Sequence, residues 1–246
     1  MGNVAVILMT WNRVSSLKHT LRQFARQDYK DFTLYISNGN LDTKVVGSIN
    51  KLVDSFSNKI NIVLTHDGND LKSFRRLLVA KTALEAGHNI ILFIDDDVQV
   101  PSDYITNCIS QYEPKTYKSG YAWSFTDGDK DYYRNRKRQY DNRRRIHYCG
   151  TGVAMIDGSI FKQRGLFNPP DGAIGIEDLW LSYYADHVMK WKLMHMTIPG
   201  VLIDGGDLFA LHREYMNAQY TKSDFLKELS AMGWDLSPAS YRMNKV

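Results

Sequence analysis

An α/β fold built on a mainly parallel sheet is what this sequence of 246 residues predicts. Three observations lead there. Short apolar bursts alternate with helix-period stretches as far as Ile94. The bursts are continuous rather than alternating, as strands buried on both faces must be. Each burst is followed at once by a polar cluster, the pattern expected where strand ends open onto a ligand crevice.

Taken in order, Val4 to Met9 reads as a strand, Val14 to Gln27 as an amphipathic helix, Phe32 to Ser37 as a strand and Val45 to Ser57 as a helix. Ile60 to Leu64 is a third strand, Leu71 to Ala86 a helix with Gly87 at its C-cap, and Asn89 to Ile94 a fourth strand. These repeating units imply a Rossmann-like sheet sandwiched by helices. Beyond it, a helix is expected near Pro101 and strands at Tyr121 to Thr126 and Gly152 to Ile156. A helix follows at Glu177 to Met189, then one or two strands between Lys192 and Ile203, and a C-terminal helix at Tyr215 to Met232. No repeat or low-complexity linker divides the chain. A single domain is expected, with a nucleotide-binding half (1–100), an acceptor half (101–212) and a C-terminal helical extension (213–246).

With 43% apolar and 24% charged residues the composition is that of a globular protein, and disordered or fibrous classes are excluded. No apolar run reaches the roughly 18 residues a membrane span needs. The N-terminal apolar stretch is too short for a signal-peptide core, so a cytoplasmic location is expected, with Cys108 and Cys149 as free thiols.

The fourth strand ends in Asp95-Asp96-Asp97. Three adjacent like charges repel, and a shared cation relieves them. Oxygen ligands of this kind suit Mg²⁺ or Mn²⁺, which bind through one or two carboxylates and complete their shell with water and substrate phosphates. The other reading is that the acids solvate a strand end and cap the next helix.

Thr10-Trp11-Asn12-Arg13, Ser37-Asn38-Gly39-Asn40, the helix bearing Arg75 and Arg76, Ile94-Asp95-Asp96-Asp97, Gly150-Thr151-Gly152 and Ile176-Glu177-Asp178-Leu179-Trp180 follow one another in an order that resembles the GT-A fold glycosyltransferases of the family 2 type, over residues 3–212. The resemblance implies an inverting transfer of a sugar from a nucleotide diphosphate sugar, usually a UDP sugar, with a divalent metal on the diphosphate. It also implies that Thr10, Asn12 and Arg13 line the base and ribose pocket and that Asn38 stands where the family commonly has an Asp contacting the base. Arg75 or Arg76 would face the nucleotide. Asp95 matches the first acid of the DXD motif and would approach the ribose or the metal, and Asp97 matches the metal-ligating acid. Asp96 would bind the nucleotide or point into the sheet.

Inverting transfer needs a carboxylate opposite the leaving diphosphate to take the proton of the attacking hydroxyl. A carboxylate at a helix N-terminus is held ionised by the helix dipole and free backbone N–H groups. Glu177-Asp178 opens a predicted helix. The resemblance assigns the base to Asp178, with Glu177 orienting the acceptor; simple capping is the alternative. It also suggests His212 as a late metal ligand beside Arg213, where a surface or capping role competes. The remaining histidines show no ligand spacing.

The last anomaly is basic. Asp127 to His147 holds eight Lys or Arg against four Asp, which accounts for the whole formal charge of +4. With tyrosines interleaved from Tyr132 to Arg145, the segment reads as a lid on the donor diphosphate, a patch for an anionic acceptor, or a solvated loop. A nucleotidyltransferase, a transferase that glycosylates modified bases in DNA, and a nucleic-acid-binding protein on an inactive GT-A scaffold are the competing functions. Trp123, Trp180 and the 168–175 loop are candidates for donor-sugar contacts, and Tyr183, Tyr184, Trp191 and Trp234 for a sugar platform.

Overall fold

A computed structural model of the chain describes residues 3–69, 71–126, 131–170, 174–203 and 220–237. Its first half runs β1 (Asn3–Thr10), α1 (Val14–Ala25), β2 (Phe32–Asn38), α2 (Thr43–Asp54), β3 (Asn61–His66), α3 (Arg75–Glu85) and β4 (His88–Ile94). The remainder runs β5 (Val98–Gln99), α4 (Tyr104–Ser110), β6 (Thr116–Ser119), β7 (Ala122–Phe125), β8 (Arg136–Arg138), β9 (Tyr148–Cys149), β10 (Val153–Asp157), α5 (Glu177–Tyr183), β11 (Lys192–His195), β12 (Leu202–Ile203) and α6 (Lys222–Ala231).

Among the described residues seven strands form the main sheet, in the order β11-β6-β10-β4-β1-β2-β3. β1 to β4 pair in parallel, whereas β10 runs antiparallel to both β4 and β6. Successive residues of β1 and β4 point to opposite faces. Ala5, Ile7, Ile91 and Phe93 join the core under α3, α5 and α6; Val4, Val6, Leu8, Ile90, Leu92 and Ile94 join the core under α1, α2 and α4. Each such fully buried Leu, Ile or Phe contributes about 1.5–3 kcal/mol. That two-sided burial is why the strands read as unbroken apolar runs. In register, Thr10 lies beside Asn38 and Asn38 beside His66, so the polar residues after three strands share one edge of the sheet.

Several expected elements change shape. The 71–86 helix opens with a 3-10 turn at Lys72–Phe74, and Gly87 closes it with a φ of +98°, a conformation glycine adopts without strain. The helix from Glu177 ends at Tyr183 and continues as a π turn through Val188. The 192–203 segment splits into β11 and β12, and the C-terminal helix begins at Lys222, where Thr221 and Asp224 form a capping box. The 215–219 part of that helix lies outside the described residues. The basic segment is a hairpin arm rather than a loop: β8 pairs with β7 in a three-stranded sheet completed by β9. The acids after β4 do not cap α4, whose N-cap residue is Asp103. Cys108 and Cys149 are free and buried. Among the described residues no helix is long and apolar enough to cross a membrane.

Candidate active site

The end of β4 is tied to β10 and to α5. Asp95 N–H donates to the Gly152 carbonyl at 3.0 Å. A Cβ on Gly152 would lie 2.5 Å from Asp95 Oδ2 and 2.9 Å from Tyr121 Cε2, so the close approach of this carboxylate requires glycine. Arg76, buried on α3, reaches Asp95 Oδ1 with Nη2 at 2.9 Å and Glu177 Oε1 with Nε at 3.1 Å. Its Nη1 donates to the Thr151 carbonyl, and Thr151 Oγ1 donates to Glu177 Oε1 at 2.9 Å. Burial opposes the Arg76 charge, but the two carboxylates outweigh it and hold the guanidinium above its usual pKa. Arg76 is thus a clamp between the two acidic centres.

Asp96 and Asp97 face α1. Arg13 Nη1 stands 3.0 Å from Asp96 Oδ1 and 3.1 Å from Asp97 Oδ2, and Thr10 Oγ1 donates to Asp96 Oδ2 at 3.4 Å. Burial pushes the Asp96 carboxyl up to about 7, against Arg13 and Thr10 and with the neighbouring charges of Asp95 and Asp97. Burial and then Asp95 raise Asp97 as well.

Farther along the same edge, Asn38 is fully buried and spends its amide within the turn: Nδ2 donates to the Asn40 carbonyl at 2.6 Å and meets His66 Nδ1 at 3.0 Å, and Oδ1 accepts from Asn40 N–H. Asn12 accepts from Asn40 Nδ2. Arg75 turns away from Arg76 and donates to the Asp67 carbonyl at 2.8 Å, and burial lowers its pKa. Its guanidinium and the Trp11 ring crowd Gly39, where a Cβ would meet Arg75 Nη1 at 2.4 Å and Trp11 Cε3 at 2.7 Å. Trp11 is 57% exposed, a large flat apolar face beside Gly39 and Arg75 that motif reasoning passed over.

Asp178 lies in the first turn of α5 and accepts from Leu179 N–H at 2.9 Å. Its Oδ2 accepts a hydrogen bond from the Tyr148 hydroxyl and an ion pair from Lys222 at 3.0 Å. Burial raises this carboxyl; Lys222, Tyr148 and the backbone outweigh it and hold the pKa below the usual range. Lys222, from α6, was invisible to motif reasoning. The Tyr148 hydroxyl in turn accepts from Tyr132 at 3.2 Å, and Tyr132 accepts from Arg136 Nη1 at 2.6 Å.

Trp123 is half-buried between Arg136 and Arg138, whose guanidinium carbons lie 4.3 and 5.9 Å from its ring centroid. Tyr183, Tyr184, Trp191 and Trp234 are buried in the core and form no platform, and Trp180, a candidate for donor-sugar contact, is buried with them and donates its Nε1–H to the Leu166 carbonyl. His212 and its neighbour Arg213 lie outside the described residues.

Among the described residues no three His, Cys, Asp or Glu side chains gather tightly enough to enclose a metal. Asp95 and Asp97 nevertheless suit a hard divalent cation. The Asp95 charge is one cause of the raised Asp97 pKa, a repulsion a shared cation relieves, and both carboxylates retain access to solvent. Two carboxylates with phosphate oxygens completing the shell is an ordinary way to bind Mg²⁺ or Mn²⁺.

No curated protein sequence matches the chain. Solved structures of similar fold include the mannosyltransferase PcManGT from Pyrobaculum calidifontis in complex with GDP-Man and Mn²⁺. That match has 15% identity and a TM-score of 0.55, and covers 79% of this chain and 54% of that one. S. aureus TarS 1–349 in complex with UDP-GlcNAc matches at 12% identity and a TM-score of 0.55, over 98% and 74% of the two chains. GalNAc-T7 with UDP, GalNAc and Mn²⁺ matches at 11% identity and a TM-score of 0.60, over 80% and 42%. The chain thus spans little more than half of the mannosyltransferase. These likenesses show a shared fold. The family described as glycosyl transferase family 2 matches residues 5–166, well over half of the sequence, and the chain belongs to that family.

Proposed function

We propose that the chain is a metal-dependent, inverting glycosyltransferase that moves a sugar from a nucleotide diphosphate sugar, a UDP sugar first among the candidates, to a hydroxyl of a growing glycan or related acceptor. The observation that carries this reading is the Arg76 clamp, which ties Asp95 at the end of β4 to Glu177, the neighbour of Asp178 in the first turn of α5. Family membership and the nucleotides and Mn²⁺ named with the similar structures support it.

On this reading the Trp11, Asn12, Arg13 and Arg75 edge receives the base and ribose, with Thr10, Asn38 and Asp96 holding the turn beneath. The 1–100 half binds donor and the later half binds acceptor. Asp95 and Asp97 would hold a Mn²⁺ or Mg²⁺, which when bound supplies charge neutralisation on the diphosphate. The acceptor hydroxyl gives its proton to Asp178 as its oxygen bonds to the anomeric carbon, and the bond from that carbon to the diphosphate breaks with its electron pair leaving on phosphate oxygen. Lys222 and Tyr148 keep Asp178 ionised and aimed, while lowering its basicity. Glu177 positions the crevice through Arg76 and Thr151 rather than acting on the proton.

The test is to incubate the protein with Mn²⁺, a panel of UDP, GDP, dTDP and CDP sugars and a mixture of free sugars and polyols as hydroxyl acceptors, and to measure nucleoside diphosphate release as the sugar passes to an acceptor hydroxyl or to water. Release from one donor, lost in Asp178→Asn, supports the reading; no release from any donor contradicts it.

A further inference from the structure

We propose that Arg136 and Arg138, set along Trp123, form a binding site for a phosphate ester carried by the acceptor, next to the hydroxyl that is attacked. This deepens the functional reading above and rests on its assignment of Asp178 as base.

Strand geometry supplies the first part of the argument. In β8, Arg136 and Arg138 are two residues apart and share a face, with Lys137 turned to the other. The register sets Arg138 opposite Trp123 on β7, and the Arg136 guanidinium packs over both Trp123 and Tyr132, at 4.3 and 4.4 Å. Arg138 stacks over Tyr121 at 5.1 Å and Tyr140 at 5.5 Å. Stacking fixes a planar guanidinium by its faces and leaves N–H groups on its edge for a bidentate anion.

Charge accounting supplies the second. Elsewhere in the basic segment the arginines are paired: Arg134 with Asp131, Arg143 and Arg144 with Asp141, Arg145 with Asp186. Arg136 and Arg138 have no ion-pair partner among the described residues, and the buried Nε of Arg138 has no hydrogen-bond partner. Among the described residues Arg138 donates to the Gly120 carbonyl alone, at 3.2 Å. A guanidinium with no acidic partner keeps N–H groups available for the charge-assisted hydrogen bonds that a phosphate oxygen accepts.

Position supplies the third. Arg136 leads through Tyr132 and Tyr148 to Asp178, the acceptor end of the crevice. Arg138 leads through Tyr121, whose ring flanks Gly152 together with Asp95, to the donor end. A phosphate bound by these arginines along Trp123 therefore lies beside the path from base to anomeric carbon.

Calorimetric titration decides the matter. Glucose 6-phosphate serves as a monoester and glycerophosphoglycerol as a diester, with glucose and glycerol as uncharged references, and UDP with Mn²⁺ is titrated in parallel. The native protein is expected to bind at least one of the two esters and neither reference. Arg138→Gln should weaken that binding about tenfold or more, the worth of a charged hydrogen bond or two, Arg138→Lys should fall between, and Lys137→Gln should match the native protein. Binding of the monoester alone points to a phosphorylated sugar; binding of the diester points to a phosphodiester-linked chain. Two results overturn the proposal: neither ester binds to a protein that binds UDP with Mn²⁺, or Arg138→Gln loses UDP and ester equally, which makes the hairpin a donor lid. If ester binding depends on Arg138 but no nucleotide binds, the site stands and the transferase reading falls. Arg136→Gln provides a second variant should Arg138→Gln fail to fold.

Discussion

Lys222 Nζ stands 3.0 Å from Asp178 Oδ2, with both side chains nearly closed off from solvent. The two residues are 44 positions apart, so the C-terminal helix supplies the counter-charge of the candidate base. Burial alone would raise the Asp178 pKa, and Lys222 is the largest opposing influence. Replacing it with Met should raise that pKa, moving the acid limb of kcat/KM for sugar transfer to higher pH. It should also cost about 3 kcal/mol of stability, because a nearly buried carboxylate loses its cation. A pH–rate profile separates the two effects: a purely structural Lys222 would leave the limb where it is.

Arg76 is predicted to be the least replaceable residue of the crevice. Arg76→Met leaves Glu177 buried without its cation and Asp95 without a partner on Oδ1. A loss of about 3–5 kcal/mol is expected in denaturant unfolding. Arg76→Lys should rescue it only in part, since an ammonium cannot span the two carboxylates as the guanidinium does.

Gly152→Ala tests the close approach at the acids. The added methyl would meet Asp95 Oδ2 at 2.5 Å and displace the carboxylate, the flexible partner in that contact. Mn²⁺-dependent nucleotide affinity should fall about tenfold, while thermal stability changes by no more than about 1 kcal/mol. An unchanged affinity would remove Asp95 from the metal site.

His147 predicts a pH dependence of stability. It is buried beside Phe125, and its Nδ1 accepts the Phe125 N–H at 3.0 Å. Burial lowers its pKa to about 4; Asp186 and Asp235 act the other way and Arg145 with it. The folded pKa lies below the ordinary value of 6.5, so the unfolded chain takes up the proton first as pH falls. This contribution is complete above that ordinary value, declines as pH falls toward 4 and levels off below, a loss of roughly 3 kcal/mol. Denaturant midpoints at about pH 7 and about pH 4.5 should show a smaller difference in His147→Gln than in the native protein.

Much of this architecture is legible in the sequence because its strongest signals are local. The strands at Val4 and Ile90 are apolar on both faces, and Gly87 marks a helix end by its backbone freedom. Other features depend on partners distant in the chain. β6, Thr116–Ser119, has no apolar run and becomes a strand only between β10 and β11. β8 is a run of Arg and Lys whose pairing with Trp123 and Phe125 outweighs its poor strand composition. Adjacent helix residues point about 100° apart, so a sequence containing Arg75-Arg76 cannot say which faces the acids; the fold sends Arg75 to Asp67 and Arg76 to Asp95 and Glu177. The acids after β4 and the Glu177-Asp178 pair were readable as motif positions, whereas Lys222 and the tyrosine relay to Asp178 were not, since nothing in Thr221-Lys222-Ser223-Asp224 differs from an ordinary helix start.

The central claim is that the acids ending β4 serve the donor and Asp178 serves the acceptor. Calorimetric titration of UDP, GDP, dTDP and CDP with and without Mn²⁺, on the native protein, Asp97→Ala and Asp178→Asn, tests it most directly. The account predicts Mn²⁺-dependent binding of one nucleotide, lost in Asp97→Ala and kept in Asp178→Asn. Nucleotide binding that survives Asp97→Ala unchanged, or no nucleotide binding by the native protein, would contradict it.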